Sequence, residues 1–266
     1  MDNTKAAALL RKIAICCIVL LVGFRVLVLQ TAIDKDGLLP RGSIALPATV
    51  LLCAAVFAAL WILSSKLNRL PGREALFSVQ GAWLPLKLIA AGLLLAGSVL
   101  SLLELQQLSF RSAETLIPAV GAVSGMLMGW TSLCEPRGKG FFWIRLIPSL
   151  FTGAALVMRF RSWSHNPMVI YIVPVLFAWA CCMVEMMLLS GFSLNVGHRR
   201  SAVLFGLGAG IFACMAVPDY FLTKQIPLPD AFLARMTLPD LLTILGLSLW
   251  CFVAALELMR RRAQKN

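Results

Sequence analysis

Three short polar segments hold most of the residues in this chain that could do chemistry: DKDGLLPRG at 34–42, MRFRSWSHNP at 158–167 and PDY at 218–220. Asp34, Asp36 and Asp219 supply carboxylates, while Arg159 and Arg161 supply guanidinium groups with Trp163 beside them. Arginine and carboxylate pair through two parallel hydrogen bonds. Such a set has two uses. It can tie loops together, or it can form a mouth that binds an anionic or zwitterionic solute. Arg159 or Arg161 is expected to bond Asp34, Asp36 or Asp219.

Glu185 is the remaining candidate. It stands about 17 residues into an apolar run, on a helical stripe with Tyr171, Val175, Trp179 and Cys182. A bare carboxylate facing lipid is costly, so Glu185 must pair with Lys87 or Arg145, be neutral, or line a wet cavity. Lys87 and Arg145 lie near the ends of their own runs, from which they can snorkel. Arg25 is the deepest basic residue and is expected to reach the outer interface or an acid such as Glu104.

Catalytic signatures are missing. The two histidines, His165 and His198, fall on opposite sides of any membrane topology, so neither a histidine metal site nor a Ser–His dyad can assemble. There is no H-E-x-x-H and no phosphate-binding glycine loop. Ser124, in GAVSGM, has no histidine to activate it and reads as helix packing. The eight cysteines lie in or at the ends of apolar runs with no C-x-x-C, as small core residues do. The expectation is a protein that is not an enzyme, with no catalytic residue, metal or cofactor.

The elements that must position these residues follow from composition. The chain has 266 residues, 60% of them hydrophobic and 14% charged. A soluble domain carries about a quarter charged residues. Here the apolar residues come in blocks of about 20, the length that crosses a bilayer as helix. Eight blocks are predicted as helices: 13–31, 44–63, 83–103, 115–134, 141–158, 168–191, 201–218 and 238–259. A β-barrel would need short alternating segments instead. The fold class is therefore all-α, a polytopic integral membrane bundle forming one transmembrane domain over 1–266. Lys5, Arg11 and Lys12 precede the first block as in a signal peptide. That block runs on past Arg25 without a small-residue cleavage site, so it reads as a retained helix.

The net charge of +12 is a matter of topology rather than of nucleic-acid binding. With both ends cytoplasmic, fourteen basic residues fall inside, among them Lys66, Arg69, Arg73, Arg199 and Arg200. Seven fall outside, Arg159 and Arg161 among them. That bias orients the bundle and makes anionic lipid headgroups on the cytoplasmic side the expected partner. Trp61, Trp83, Trp130 and Trp143 fall at the cytoplasmic ends of their helices, where indole rings anchor. Gly121, Gly125 and Gly129 form a stripe along the fourth helix, which lets another helix approach closely. Gly206, Gly208 and Gly210 can serve the seventh likewise. Pro47, Pro85, Pro118 and Pro239 stand in or near first turns, whereas Pro148 and Pro174 are deeper and should bend the fifth and sixth helices.

The run TAIDKDGLLPRG, then RFRSWSHNP with a long helix behind it, then GHRR and a glycine-rich helix ending in PD, resembles a family of multi-spanning membrane proteins of gut Clostridia and related Firmicutes. The resemblance covers about residues 31–219. It implies a bacterial cytoplasmic membrane protein and carries no activity or site residue with it. Asn166 departs from the acidic residue expected before that proline, which puts a shared cation role there in doubt. Two functions remain open. One is a small-solute permease or membrane-embedded solute-binding subunit, using Arg159, Arg161, Trp163, Asp34, Asp36, Asp219 and Glu185. The other is a non-catalytic sensor or accessory subunit, partnered with another membrane protein and acting through helix packing.

Overall fold

The computed structural model describes residues 3–32, 43–67, 83–105, 113–134, 140–163, 169–192, 194, 198–223 and 236–260. They form helices α1 (Asn3–Thr31), α2 (Ala45–Ser64), α3 (Leu84–Leu105), α4 (Ala113–Leu133), α5 (Gly140–Trp163), α6 (Val169–Phe192), α7 (Arg199–Ala213), α8 (Ala216–Thr223) and α9 (Leu238–Arg260). No strand occurs among the described residues. Eight spans are long and apolar enough to cross a membrane, with α7 and α8 together making the seventh. The protein is a multi-pass α-helical membrane protein.

The seventh span is divided where a single helix over 201–218 was expected. Pro218 has no N–H to donate, and its ring opposes the carbonyl four residues back, at Cys214. The chain answers with tight i→i−3 hydrogen bonds from Met215 N to Phe212 O and from Val217 N to Cys214 O, then resumes as α8. Asp219 and Tyr220 consequently lie within a helix of the bundle rather than in an outer loop.

Six spans close a ring in the order α3–α4–α5–α6–α7–α9, with α9 back against α3; α6 and α9 also touch across it. The α1–α2 pair packs outside this ring against α7 and α8. Helices α6, α7 and α9 are the most enclosed, and Trp179, Phe192, Phe212, Ile244 and Leu247 stand at their common core.

Glycines set the closest approaches. A Cβ on Gly125 of α4 would stand 3.0 Å from the backbone nitrogen of Leu95, so the α4 stripe faces α3. Gly246 of α9 faces the other side of α3, where a Cβ would fall 2.5 Å from Leu94 N. In the seventh span Gly206 lies against Cys251 O of α9. With no hydrophobic driving force between helices in lipid, such backbone contact is what holds neighbours together. Helix α3 is thus clasped between α4 and α9.

One end of the bundle carries a band of exposed indoles, Trp61, Trp130 and Trp143. The same end holds Lys66 and the start of α7, the end that the positive charge bias assigns to the cytoplasm.

Candidate functional site: a polar cavity at the outer end of the ring

At the opposite end, α3, α4, α5 and α9 diverge around a cavity of about 440 Å³. Its floor is apolar, from Ile117, Pro118, Phe151 and Ala155. Its polar lining comes from Ser98, Ser101 and Glu104 of α3, Arg159 of α5, and Asp240 and Thr243 of α9. The volume lies within the range of small-molecule pockets, and the mixture of apolar floor and few polar groups is typical of them.

Arg159 is placed by the direction of its helix. Side chains lean toward the N-terminus of a helix. Helix α5 begins at the end that carries the exposed indoles, so Arg159, four residues before its other terminus, leans down into the ring. There its Nη2 lies 2.5 Å from Asp240 Oδ1. Its guanidinium carbon sits 4.8 Å from the centre of the Trp179 ring, a cation–π distance. Phe151 packs against Trp179 edge to face, with centroids 6.2 Å apart, and the pair closes the region below.

Asp240 owes its place to the start of α9. Thr237 N donates to Asp240 Oδ2 at 3.4 Å, and Asp240 N donates to Thr237 Oγ1 at 3.3 Å. This reciprocal arrangement is a capping box, with the carboxylate also favoured by the positive end of the helix dipole. The sequence signal for it was present in TLPD ahead of an apolar run, and it is the feature that sequence reasoning missed. Ser98, Ser101, Thr243 and the site role of Glu104 were missed as well. Their helical spacing on α3 and α9 carries no signal until the facing helices are known.

Ser98 is only 2% exposed; its Oγ faces Gly121 of α4 and has no hydrogen-bond partner among the described residues. Glu104 is exposed at the mouth and forms no ion pair with the described residues.

Arg159 meets Asp240, an acid that was not among its expected partners, because it leans inward; the expected bonds from Arg159 or Arg161 to Asp34 and Asp36 lie outside the described residues. Asp219 is taken by Arg25, whose Nε donates to Asp219 Oδ1 at 2.6 Å. Arg25 does not reach Glu104, because α1 packs outside the ring while α3 belongs to it. Arg161 is exposed on the last turn of α5. Asp34 and Asp36 lie outside the described residues, as does the side chain of Trp163.

Glu185 stands apart from this cavity. It is completely buried among α6, α7 and α9, and neither carboxylate oxygen accepts a hydrogen bond from the described residues. A Cβ on Gly206 would lie 3.2 Å from its Oε1, so the seventh span presses directly on it. Lys87, one expected partner, instead pairs with Glu257 of α9 and lies 5.7 Å from the Trp250 ring centre. Neither Lys87 nor Arg145 snorkels; they are 8% and 7% exposed, turned into the bundle. Arg199, expected in a cytoplasmic link, begins α7 and is buried, donating to Leu258 O and Met259 O at 2.8 and 3.3 Å. Those carbonyls belong to the last turn of α9, which has no intrahelical donors for them.

Compared with models of known families, with curated proteins and with solved structures, the chain matches none.

Proposed function

We propose that this protein is a membrane-embedded solute-binding component, a small-solute permease or the substrate-binding subunit of one, seated in a bacterial cytoplasmic membrane with both ends inside. The observation that carries this reading is the outer cavity, whose polar groups converge from three helices over an apolar floor.

A second reading, a non-catalytic sensor or accessory subunit, is favoured by one observation: Glu185 is enclosed in close packing that the cavity lining does not include. The two readings separate in a ligand screen on the purified protein. A solute that binds the folded state raises stability by about 2.7 kcal/mol at one hundred times its Kd. The solute-binding reading expects such stabilisation from at least one member of a panel of small cations, zwitterions and anions. It also expects Ser101→Leu, which would fill part of the cavity, to weaken it. A panel that leaves the unfolding temperature unmoved would favour the accessory role.

A further inference from the structure

Glu185 is 0% exposed and enters no ion pair or hydrogen bond among the described residues. Its carboxyl stands where the three most enclosed helices meet. Among the described residues, the titratable side chains that face it are thiols: Cys181 and Cys182 on α6 itself, and Cys251 on α9. Helix α7 brings no titratable group there. It brings Gly206, on which a Cβ would lie 3.2 Å from Glu185 Oε1 and 2.8 Å from Cys251 O. A carboxylate in these surroundings would have neither cation nor donor to offset its lost hydration, a cost that ionisable groups avoid by staying neutral. The neutral acid is the form that this packing accepts. The anion requires a different arrangement.

We infer that Glu185 is a proton-binding site: it holds a proton in this closed arrangement and gives it up when α7 parts from α6 and α9. On opening, the carboxyl O–H bond breaks, the proton passes to entering water and the carboxylate is left solvated; nothing is oxidised or reduced. Helix α7 is suited to such a movement. It has only 15 residues and ends at the interruption between Cys214 and Val217, where the hydrogen-bond ladder has already tightened to i→i−3. Its other end is latched to α9 by Arg199, through Leu258 O and Met259 O. Glu185 lies seven residues before Phe192, the end of α6, which is about 10 Å of helix. The proton is thus held near the latched end. Because the closed form carries one more proton than the open form, rising pH favours opening. The assignment concerns a site apart from the outer cavity and stands whether or not that cavity takes a solute.

The full-length protein in nanodiscs is followed by infrared difference spectroscopy across the pH range in which its fold persists, beside Glu185→Gln. A carboxylic-acid C=O band present in the parent and missing from the variant is expected, and it should fade as pH rises. Reaction of Cys251 with N-ethylmaleimide reports the opening, since this thiol is 0% exposed in the closed form. Its rate is divided by that of Cys16, an exposed thiol on α1, which cancels the general effect of pH on thiols. The ratio should climb by up to about tenfold per pH unit, the slope that release of one proton permits, and stay level in Glu185→Gln. Glu185→Met takes the place of the glutamine variant should the latter not fold. Absence of a Glu185 band at acid pH would mean an ionised carboxyl and overturn the assignment. So would a band that persists until the protein unfolds, because such a proton is never released. A band that fades while the Cys251 ratio stays level, or a ratio that climbs equally in the variant, would overturn the link between the proton and the movement of α7.

Discussion

Arg25 and Asp219, 194 residues apart in the chain, meet at 2.6 Å with the arginine only 1% exposed. The contact joins α1 to α8 and so fastens the peripheral α1–α2 pair to the ring. Removing one partner from a buried pair strands the other charge, at a cost of about 3–5 kcal/mol. Asp219→Ala should therefore lower stability in detergent by that order. Arg25→Leu combined with Asp219→Leu should recover much of it, as apolar replacements of whole pairs do. Equal stability of Asp219→Ala and the parent would show that the pair contributes nothing.

Asp219 also shows where sequence reading stopped. The number of spans, the helical class and the approximate limits of each helix were legible, because a bilayer demands about 20 apolar residues and permits little else. The α4 glycine stripe was legible as a close-packing face, though not its partner α3. Pairings between charges were not legible. Arg25, Lys87 and Arg159 each met an acid on a helix distant in the chain, Asp219, Glu257 and Asp240 respectively. Which helices adjoin is a matter of ring order, and hydropathy is silent on that. The TLPD capping box was local and readable, and it alone would have put a fixed carboxylate at the outer start of α9.

The α3 clasp makes a graded prediction. Gly246→Ala places a methyl 2.5 Å from Leu94 N, against backbone that cannot swing aside, and should cost about 1–3 kcal/mol. Gly125→Leu should also destabilise, since its Cβ alone would already be 3.0 Å from Leu95 N. Gly129→Ala meets nothing nearer than 3.7 Å and should be tolerated. Unfolding temperatures in one detergent would rank the three; a sensitive Gly129 with an indifferent Gly246 would contradict the packing described.

Glu185 makes a prediction of opposite sign. A fully buried carboxyl with no hydrogen bond is a net cost of about 1–3 kcal/mol. Glu185→Met, similar in bulk and apolar, should raise the unfolding temperature. A fall would mean that Glu185 is held by a favourable interaction, and the variant should then be examined for loss of solute binding.

Arg159 and Arg161, two residues apart, should behave differently. Arg161 is exposed, where an ion pair contributes about 0–1 kcal/mol, so Arg161→Ala should cost less than Arg159→Ala. Arg159→Ala removes the counter-charge of Asp240 and should cost roughly 1 kcal/mol, a figure held down because the pair is about one-fifth exposed. Chemical denaturation of both variants would check this, and a larger loss at Arg161 would sink the assignment of the inward-leaning arginine.

Orientation is checked by cysteine labelling from either side of sealed vesicles. A cysteine at Ile44, exposed at the start of α2, should react only from outside, and one at His198 only from the cytoplasm. The reverse pattern would invert the bundle and turn the cavity toward the cell interior.

Helix α9 is the last of the described helices to leave the ribosome, yet it lies between α3 and α7 rather than at the periphery. Until it arrives, Arg159, Lys87 and Arg199 have none of the α9 groups that engage them, the Asp240 and Glu257 carboxylates and the carbonyls of Leu258 and Met259. Three cations therefore await a single late-inserted segment during biogenesis, and the ring stays open along one side in the meantime. A nascent chain halted before Leu238 should present these cations to membrane proteases as an unfinished product. Pulse-chase turnover of such a truncated chain, compared with the full one, measures that interval; equal lifetimes would show that the earlier helices close without it.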